Sequence, residues 1–174
     1  MLPPWVRAIV GHPVRLVLAA GKTMAAAHVF TSYCFEWGPA AGPSMLPTFD
    51  IAGDHIIVDK RYRYGRNVVV GDLVHYRIPI FQRAEGIKRV IGMPGDYVLV
   101  GSPDAYPQKM MQVPQGHCWI VGDNLELSRD SRMFGPVPLA LIKGKVIARH
   151  LPWDTRKVFH NGLVDPEDDH DDKK

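Results

Sequence analysis

A serine and a lysine, far apart in the chain, could together perform nucleophilic chemistry. Ser44 lies between two prolines, one directly before it and one three residues after it, which restrict the backbone of its turn. Lys88 lies within the largely apolar run 87–91. A serine hydroxyl becomes a strong nucleophile when a nearby base removes its proton, and a neutral lysine is such a base. The two residues are therefore a candidate Ser-Lys dyad.

Such a dyad requires an environment that keeps the lysine neutral. A free lysine has a pKa of about 10.4, and lowering that pKa by about three units corresponds to about 4 kcal/mol, which burial can supply. Side chains alternate along a strand, so a strand at 87–91 places Lys88 on the face of Val90 and Arg89 on the opposite face. The pattern predicts that Lys88 is desolvated.

A third segment, 122–132, is too rich in polar residues for an ordinary strand or hairpin. It begins with Gly-Asp-Asn at 122–124 and continues through Ser128, Asp130 and Arg132. Its occurrence together with Ser44 and Lys88 favours a catalytic interpretation over that of isolated turn and surface residues.

The elements that must position these residues are short strands. Four Gly-Asp pairs occur, at 53–54, 71–72, 95–96 and 122–123, and three of them directly precede runs of β-forming residues. Glycine permits positive φ and aspartate caps the turn, so such pairs indicate turns before strands. The predicted strands are 55–58, 73–76, 87–91, 97–100, 117–121 and 144–150, with a helical turn at 138–142. We expect a mainly β, compact fold.

Composition fits one domain with appendages. The 174 residues are 46% hydrophobic, enough to build a core, and the predicted division is 1–37 (basic, apolar segment), 38–160 (body) and 161–174 (acidic tail). The net charge of +3 comes without a basic helix, which disfavours nucleic-acid binding. The two cysteines and eight histidines form no C-x-x-C or H-E-x-x-H pattern, so we expect neither a metal nor another cofactor.

The N-terminal segment leaves three interpretations open. Residues 14–35 are largely apolar and long enough to cross a bilayer of about 30 Å, although Arg15, Lys22 and His28 interrupt them. The segment could be a helical membrane anchor with a basic flank, a targeting segment that is later removed, or a soluble helix packed on the domain or on a partner. The anchor is the preferred interpretation.

The segments that contain Ser44, Lys88 and the polar run 122–132, together with the Gly-Asp run 71–74, resemble the conserved boxes of the type I signal peptidases. This is a family of Ser-Lys peptidases. The matching runs are 42–48, 71–74, 88–96 and 122–124 with 128–137. The resemblance extends from about 42 to 153 and is strongest to the mitochondrial inner membrane branch of the family. It implies a signal-peptidase-like β fold in a minimal version, because only 25 residues separate Asp96 from Gly122.

The resemblance also implies residue roles. Ser44 would be the nucleophile, Lys88 the general base, and Ser128 would orient the lysine amine by a hydrogen bond. The supporting residues of the scaffold would be Asp123, Asp130 and Arg132, with Asp130 pairing with Arg132 and with Arg89 as a further candidate partner.

The oxyanion hole is where this sequence departs from many bacterial relatives. They carry a hydroxyl residue two places before the nucleophile, whereas this chain has Gly42. The backbone N–H of Ser44 would then be the main donor.

The function implied by the resemblance is the removal of targeting presequences by a membrane-bound serine endopeptidase. It would act at the mitochondrial inner membrane with its domain facing the intermembrane space, as a heterodimer with a second homologous protease subunit. The alternatives are a bacterial- or plastid-type signal peptidase, a self-cleaving Ser-Lys repressor, and a non-catalytic scaffold subunit of a protease complex.

Overall fold

The computed structural model describes residues 12–81, 83–101, 106 and 109–163. The chain divides into two units, Met1–Phe35 and Glu36–Lys174. The acidic segment from 164 onward lies outside the described residues, as do residues 1–11. The predicted three-part division therefore stays a prediction.

In the described part of the first unit, from residue 12 onward, the chain forms one long helix, α1 (Pro13–Tyr33). A proline at the first helical position lacks only an N–H that has no partner there, so Pro13 is well suited to begin α1. None of the helix residues is buried. Among the described residues, no helix combines the length and the apolar character that crossing a membrane requires. The predicted helix is confirmed, and its role as an anchor is not.

The second unit consists mainly of strands, joined by short 3₁₀ turns and one four-residue helix, α2 (Ser131–Phe134). The strands are β1 (Phe35–Ala40), β2 (Asp54–Asp59), β3 (Leu73–Arg77), β4 (Glu85–Gly92), β5 (Tyr97–Val100), β6 (Lys109–Gln112), β7 (His117–Val121), β8 (Val137–Pro138), β9 (Ile142–Leu151) and β10 (Lys157–Val158).

Within the described residues, eight of these strands form one sheet in the order β1-β2-β9-β3-β4-β7-β8, and β10 pairs with β9. The pair β5-β6 forms a separate antiparallel ribbon. Strand β4 lies between β3 and β7, and its register places Lys88 opposite Val74 and Arg89 opposite Val121. The lysine is thus carried by an interior strand of the sheet.

All six predicted strands are present, within β2, β3, β4, β5, β7 and β9, and the predicted helical turn is the 3₁₀ helix Leu139–Leu141. The mainly β prediction is confirmed. Strands β1, β6, β8 and β10 were not predicted, because they are short or contain proline and their local sequences therefore carry little β signal.

Three of the four Gly-Asp pairs, at 53–54, 71–72 and 95–96, lie at the starts of strands β2, β3 and β5, as the sequence suggested. Gly71 has a φ of 95°, and the Asp72 carboxylate accepts a hydrogen bond from the Val69 N–H (3.1 Å). The carboxylate of Asp96 likewise accepts from the Met93 N–H (2.8 Å). The fourth pair, at 122–123, lies beside the candidate active site.

The core consists of three clusters of buried side chains. One surrounds Tyr76, Val90 and Ile120 on β3, β4 and β7. A second surrounds Phe49 and Val58 below the turn that carries Ser44, and a third surrounds Trp119 beneath the β5-β6 ribbon. Ser44 is thus next in sequence to Met45 of the second cluster, and Lys88 is two residues from Val90 of the first.

Two isoleucines test this description of the core. Ile120 is fully buried on β7, whereas Ile91 on the neighbouring strand β4 is 44% exposed. We expect Ile120→Ala to lower the free energy of unfolding by about 2–5 kcal/mol because it removes apolar burial and leaves a cavity. Ile91→Ala should change it by less than about 1 kcal/mol. Urea unfolding followed by circular dichroism measures both, and equal losses would contradict the placement of β7.

Candidate active site

The side chains of Ser44 and Lys88 meet, although 44 residues separate them in the chain. Lys88 Nζ donates hydrogen bonds to Ser44 Oγ (2.6 Å) and to the carbonyl of Ile87 (2.9 Å). The structure thus brings together the two residues that the sequence proposed as a dyad. The distance is short enough for direct proton transfer between the two atoms.

Burial of Lys88 has the electrostatic consequence that the sequence predicted. Lys88 and Val90 on β4 are both buried, 5% and 0% exposed, while Arg89 between them is only half-buried. Desolvation lowers the pKa of Lys88 from 10.5 to about 8, and the carboxylates of Asp130 and Asp123 oppose this shift. A substantial fraction of the lysine is therefore neutral near physiological pH.

The turn that carries Ser44 is a 3₁₀ helix, Pro43–Met45, anchored on both sides. The Met45 side chain is buried below it, and the Ser44 carbonyl accepts a hydrogen bond from the Asn124 N–H (3.1 Å). Backbone N–H groups in the first turn of a helix have no intrahelical acceptor, so the N–H of Ser44 is suited to bind an oxyanion. Gly42 has a φ of 112°, which side chains disfavour and which explains its glycine.

Asp123 joins the serine turn to the strand of the lysine. Arg89 Nε and Nη2 donate to its two carboxylate oxygens, each at 2.8 Å, and the Thr48 hydroxyl donates to the same carboxylate. Burial raises the pKa of Asp123, but the hydrogen bonds from Arg89 and Thr48 outweigh it and hold that pKa below its ordinary value. The half-buried carboxylate therefore stays charged and holds two elements together.

Asp130 is the charged carboxylate that holds the loop after β7 in place. It is fully buried and accepts hydrogen bonds from Arg132 Nε (2.9 Å) and the Gly122 N–H (3.0 Å). Burial raises its pKa, yet these bonds leave the pKa lowered overall. The Asp130–Arg132 pairing that the sequence suggested is present, and Arg89 binds Asp123 instead of Asp130.

Ser128 lies at the site but makes no hydrogen bond to the Lys88 amine in this structure. It is 7% exposed, lies near the Asp130 carboxylate, and its Oγ has no partner in hydrogen-bond geometry among the described residues. A Cβ built on Gly122 would lie 2.2 Å from that Oγ and 2.4 Å from the Ser44 carbonyl oxygen, so only glycine fits between them. The role of Ser128 in orienting Lys88 stays a prediction.

Two polar residues of the site were part of the matching motif runs but received no role from the sequence. Thr48 binds Asp123, and the Ser131 hydroxyl accepts a hydrogen bond from the Ile120 N–H (3.0 Å) on β7. Both lie inside the motif runs 42–48 and 128–137, so their position in those runs was the available signal.

A groove of about 480 Å³ opens beside the Ser44–Lys88 pair. Its walls come from β1, including Gly38 and Ala40, and from β4, including Gly86 and Ile87. Residues 85–88 of β4 pair with β3 on one side, and no described strand pairs with their other edge, because β7 joins β4 only from Arg89 onward. The groove thus offers unpaired strand edge next to the serine.

A charged cluster also contributes to the lining of the groove. The ligand atoms of Glu36, His75 and Glu85 lie within 4.8 Å of one another, a set that could hold a metal ion. The Lys143 ammonium lies 2.8 Å from Glu85 and 3.3 Å from Glu36, and Lys60 lies 3.1 Å from Glu36. The two carboxylates are therefore already neutralised by cationic side chains.

Comparison with known proteins gives consistent results over most of the chain. The family model described as signal peptidase, peptidase S26, matches residues 14–106 and 102–151. Mitochondrial inner membrane protease subunit 1 of Schizosaccharomyces pombe is 40% identical over 139 residues, covering 79% of this chain and 87% of the relative.

Two further relatives come from vertebrates. Mitochondrial inner membrane protease subunit 1 of Xenopus tropicalis is 37% identical over 150 residues, covering 86% of this chain and 89% of the relative. Subunit 2 from Danio rerio is 34% identical over 116 residues, covering 67% of this chain and 61% of the relative. The extent of the family match and the identity to these relatives show that the chain belongs to the peptidase S26 family of signal peptidases.

Proposed function

We propose that this protein is a serine endopeptidase that removes presequences from proteins at the mitochondrial inner membrane. The observation that carries the proposal is the 2.6 Å contact between Ser44 Oγ and the buried amine of Lys88. The names of the relatives, mitochondrial inner membrane proteases, support the location and the reaction.

Ser44 is the proposed nucleophile and Lys88 the proposed general base. In its neutral form the amine has a lone pair, so the hydrogen bond then runs from the Ser44 hydroxyl to Nζ, while an amine N–H continues to bind the Ile87 carbonyl. Lys88 takes the hydroxyl proton as Ser44 attacks the scissile carbonyl, and returns it to the leaving amine. An acyl-enzyme remains, and Lys88 then activates the water that hydrolyses it.

Asp123, Asp130 and Arg132 are proposed to act without touching substrate. Their ion pairs fix the Ser44 turn and the loop after β7 relative to β4. Negative charge close to Lys88 would favour the protonated amine, but Arg89 and Arg132 neutralise the two carboxylates. The supporting arginines thus help to keep Lys88 a usable base.

The substrate is proposed to bind as an extended strand in the groove. The unpaired edge of β4 at 85–88 supplies backbone donors and acceptors for strand addition, and it ends at Lys88. A polypeptide added there brings a carbonyl to Ser44 without requiring a metal or cofactor.

Helix α1 is proposed to hold the protein at the membrane, and the catalytic unit is proposed to face the intermembrane space. The basic, acid-free sequence before Glu36 supports a membrane-associated role. The relatives are numbered as subunits, which supports a heterodimer with a second homologous protease subunit.

Each alternative lacks the support that this proposal has. A non-catalytic scaffold would not require a desolvated lysine in contact with a serine. A bacterial- or plastid-type signal peptidase remains chemically equivalent, but the relatives reported above are mitochondrial.

The dyad predicts the outcome of three substitutions. Ser44→Ala, Lys88→Ala and Lys88→Arg should each lower kcat for a presequence substrate by at least about 1000-fold, since the first removes the nucleophile and an arginine cannot serve as a base at usable pH. Circular dichroism should show a folded chain in each case. Lys109→Ala, on the exposed strand β6, is the matched control and should retain full activity. A turnover rate near that of the wild type in any of the three site variants would contradict the assignment of Ser44 and Lys88 as the catalytic dyad.

Activity should rise with pH through the pKa of Lys88. The protonated amine cannot accept a proton, and the pKa of about 8 places the half-maximum of kcat/KM near pH 8. Steady-state rates from pH 5 to 10 measure this profile. A rate independent of pH over that range would argue against a lysine base.

Lys88 should also reduce stability at neutral pH. Because its pKa is lowered on folding, the native protein binds this proton less readily than the unfolded chain, and Lys88→Met should raise the free energy of unfolding at pH 7 by about 3 kcal/mol. The difference should shrink as pH rises from about 8 towards 10.5, where the lysine is neutral in both states. Urea unfolding at pH 7 and pH 10 measures it, and a destabilised variant at pH 7 would contradict the desolvation.

A further inference from the structure

The last described residues, 157–163, form a strap that runs beside β9 and continues to the loop before β3. Strand β10 begins it by pairing with β9, with Lys157 opposite Arg149 and Val158 opposite Ala148. The Phe159 N–H then donates to the Ile147 carbonyl (2.9 Å), which extends the pairing by one residue. The mechanism described above does not use this strap.

Phe159 places its ring against the base of the Ser44 turn. Its centroid lies 5.1 Å from that of Phe49, with the rings tilted by 59°. Phe49 is 2% exposed and ends the turn, where its N–H donates to the Met45 carbonyl (3.0 Å). Phe159 thus covers the apolar side chain on which the turn rests.

Asn161 attaches the strap to a second part of the fold, the loop before β3. Its Nδ2 donates to the Val70 carbonyl (2.6 Å), and its Oδ1 accepts from the Leu163 N–H (3.1 Å). A Cβ on Gly71 would lie 2.2 Å from Asn161 Oδ1, so the close approach of the strap depends on that glycine. Asn161 is therefore fitted closely to the loop that contains Val70 and Gly71.

This loop is connected to the Ser44 turn by the ion pair of the site. The Gly71 carbonyl accepts from Arg89 Nη1 (2.9 Å), Arg89 also binds Asp123, and Asp123 accepts from Thr48. The strap thus reaches the turn at 43–49 in two ways, directly through Phe159 and indirectly through Asn161. Both routes border a cleft of about 190 Å³ that Thr48, Arg89, Phe159 and Asn161 line.

We propose that Phe159 and Asn161 are positioning residues that hold the turn at 43–49, and hence Ser44, at the correct distance from Lys88. The proposal rests on the proposed function of that pair. Neither residue lines the groove proposed for substrate, so they act on the rate of the chemical step and not on substrate binding. A displacement of a nucleophile by about 1 Å can lower the rate by about 100-fold.

Substitutions in the strap separate positioning from simple stabilisation. Phe159→Ala and Asn161→Ala should each lower kcat for a presequence peptide by about tenfold or more and leave KM within about twofold, at a temperature at which each variant is fully folded. Phe159→Leu, which keeps an apolar contact with Phe49, should recover most of the activity and also covers the case in which Phe159→Ala does not fold. Val158→Ala is the matched control, because Val158 lies in the same strap but is 61% exposed.

A second readout does not depend on activity. Amide hydrogen exchange at 43–49 should accelerate in Phe159→Ala and Asn161→Ala but not in Val158→Ala, because the turn loses its support. An unchanged kcat together with unchanged exchange at 43–49, even with a lower Tm, would overturn the proposal and leave the strap a stabilising element only. If the wild-type chain showed no Ser44-dependent cleavage, the proposed function would fail, and the exchange at 43–49 would still decide the role of the strap.

Discussion

The active site depends on the burial of one amine, that of Lys88. A lysine side chain in water keeps its proton at neutral pH, and the site can work only if the fold makes the charged form unfavourable. Lys88 is 5% exposed on an interior strand, and desolvation lowers its pKa from 10.5 to about 8. This shift corresponds to about 3 kcal/mol, a considerable part of the net stability of a domain of this size. The rest of the unit must supply that energy and keep a hydroxyl in contact with the amine.

The site must hold its loops together with carboxylates and still keep the neighbouring Lys88 amine neutral. Asp123 and Asp130 connect the Ser44 turn and the loop after β7 to the sheet, yet each would raise the pKa of Lys88 if its charge were uncompensated. Each has its own arginine, Arg89 for Asp123 and Arg132 for Asp130. The scaffold therefore gains the geometric precision of hydrogen-bonded ion pairs, while apolar burial still determines the protonation state of the lysine.

Local patterns in the sequence predicted much of this arrangement. Alternation along 87–91 placed Lys88 with Val90, and Gly-Asp pairs marked the starts of β2, β3 and β5, because these signals depend on neighbouring residues alone. The contribution of Phe159 could not be predicted in this way. It arises because β10 returns to pair with β9 and brings Phe159 to Phe49, 110 residues earlier in the chain. The partner of Arg89 was also beyond local reasoning, since Asp123 and Asp130 lie close together in sequence and only the fold selects between them.

The most direct test of the central claim is the pKa of Lys88 itself. Selective ¹³C labelling of lysine, with the Lys88 signal assigned by its loss in Lys88→Met, allows the Cε resonance to be followed by NMR from pH 6 to 12. The burial seen in the structure predicts a midpoint near pH 8 for Lys88. A Lys88 midpoint near 10.5 would contradict the claim that the fold keeps this amine available as a base.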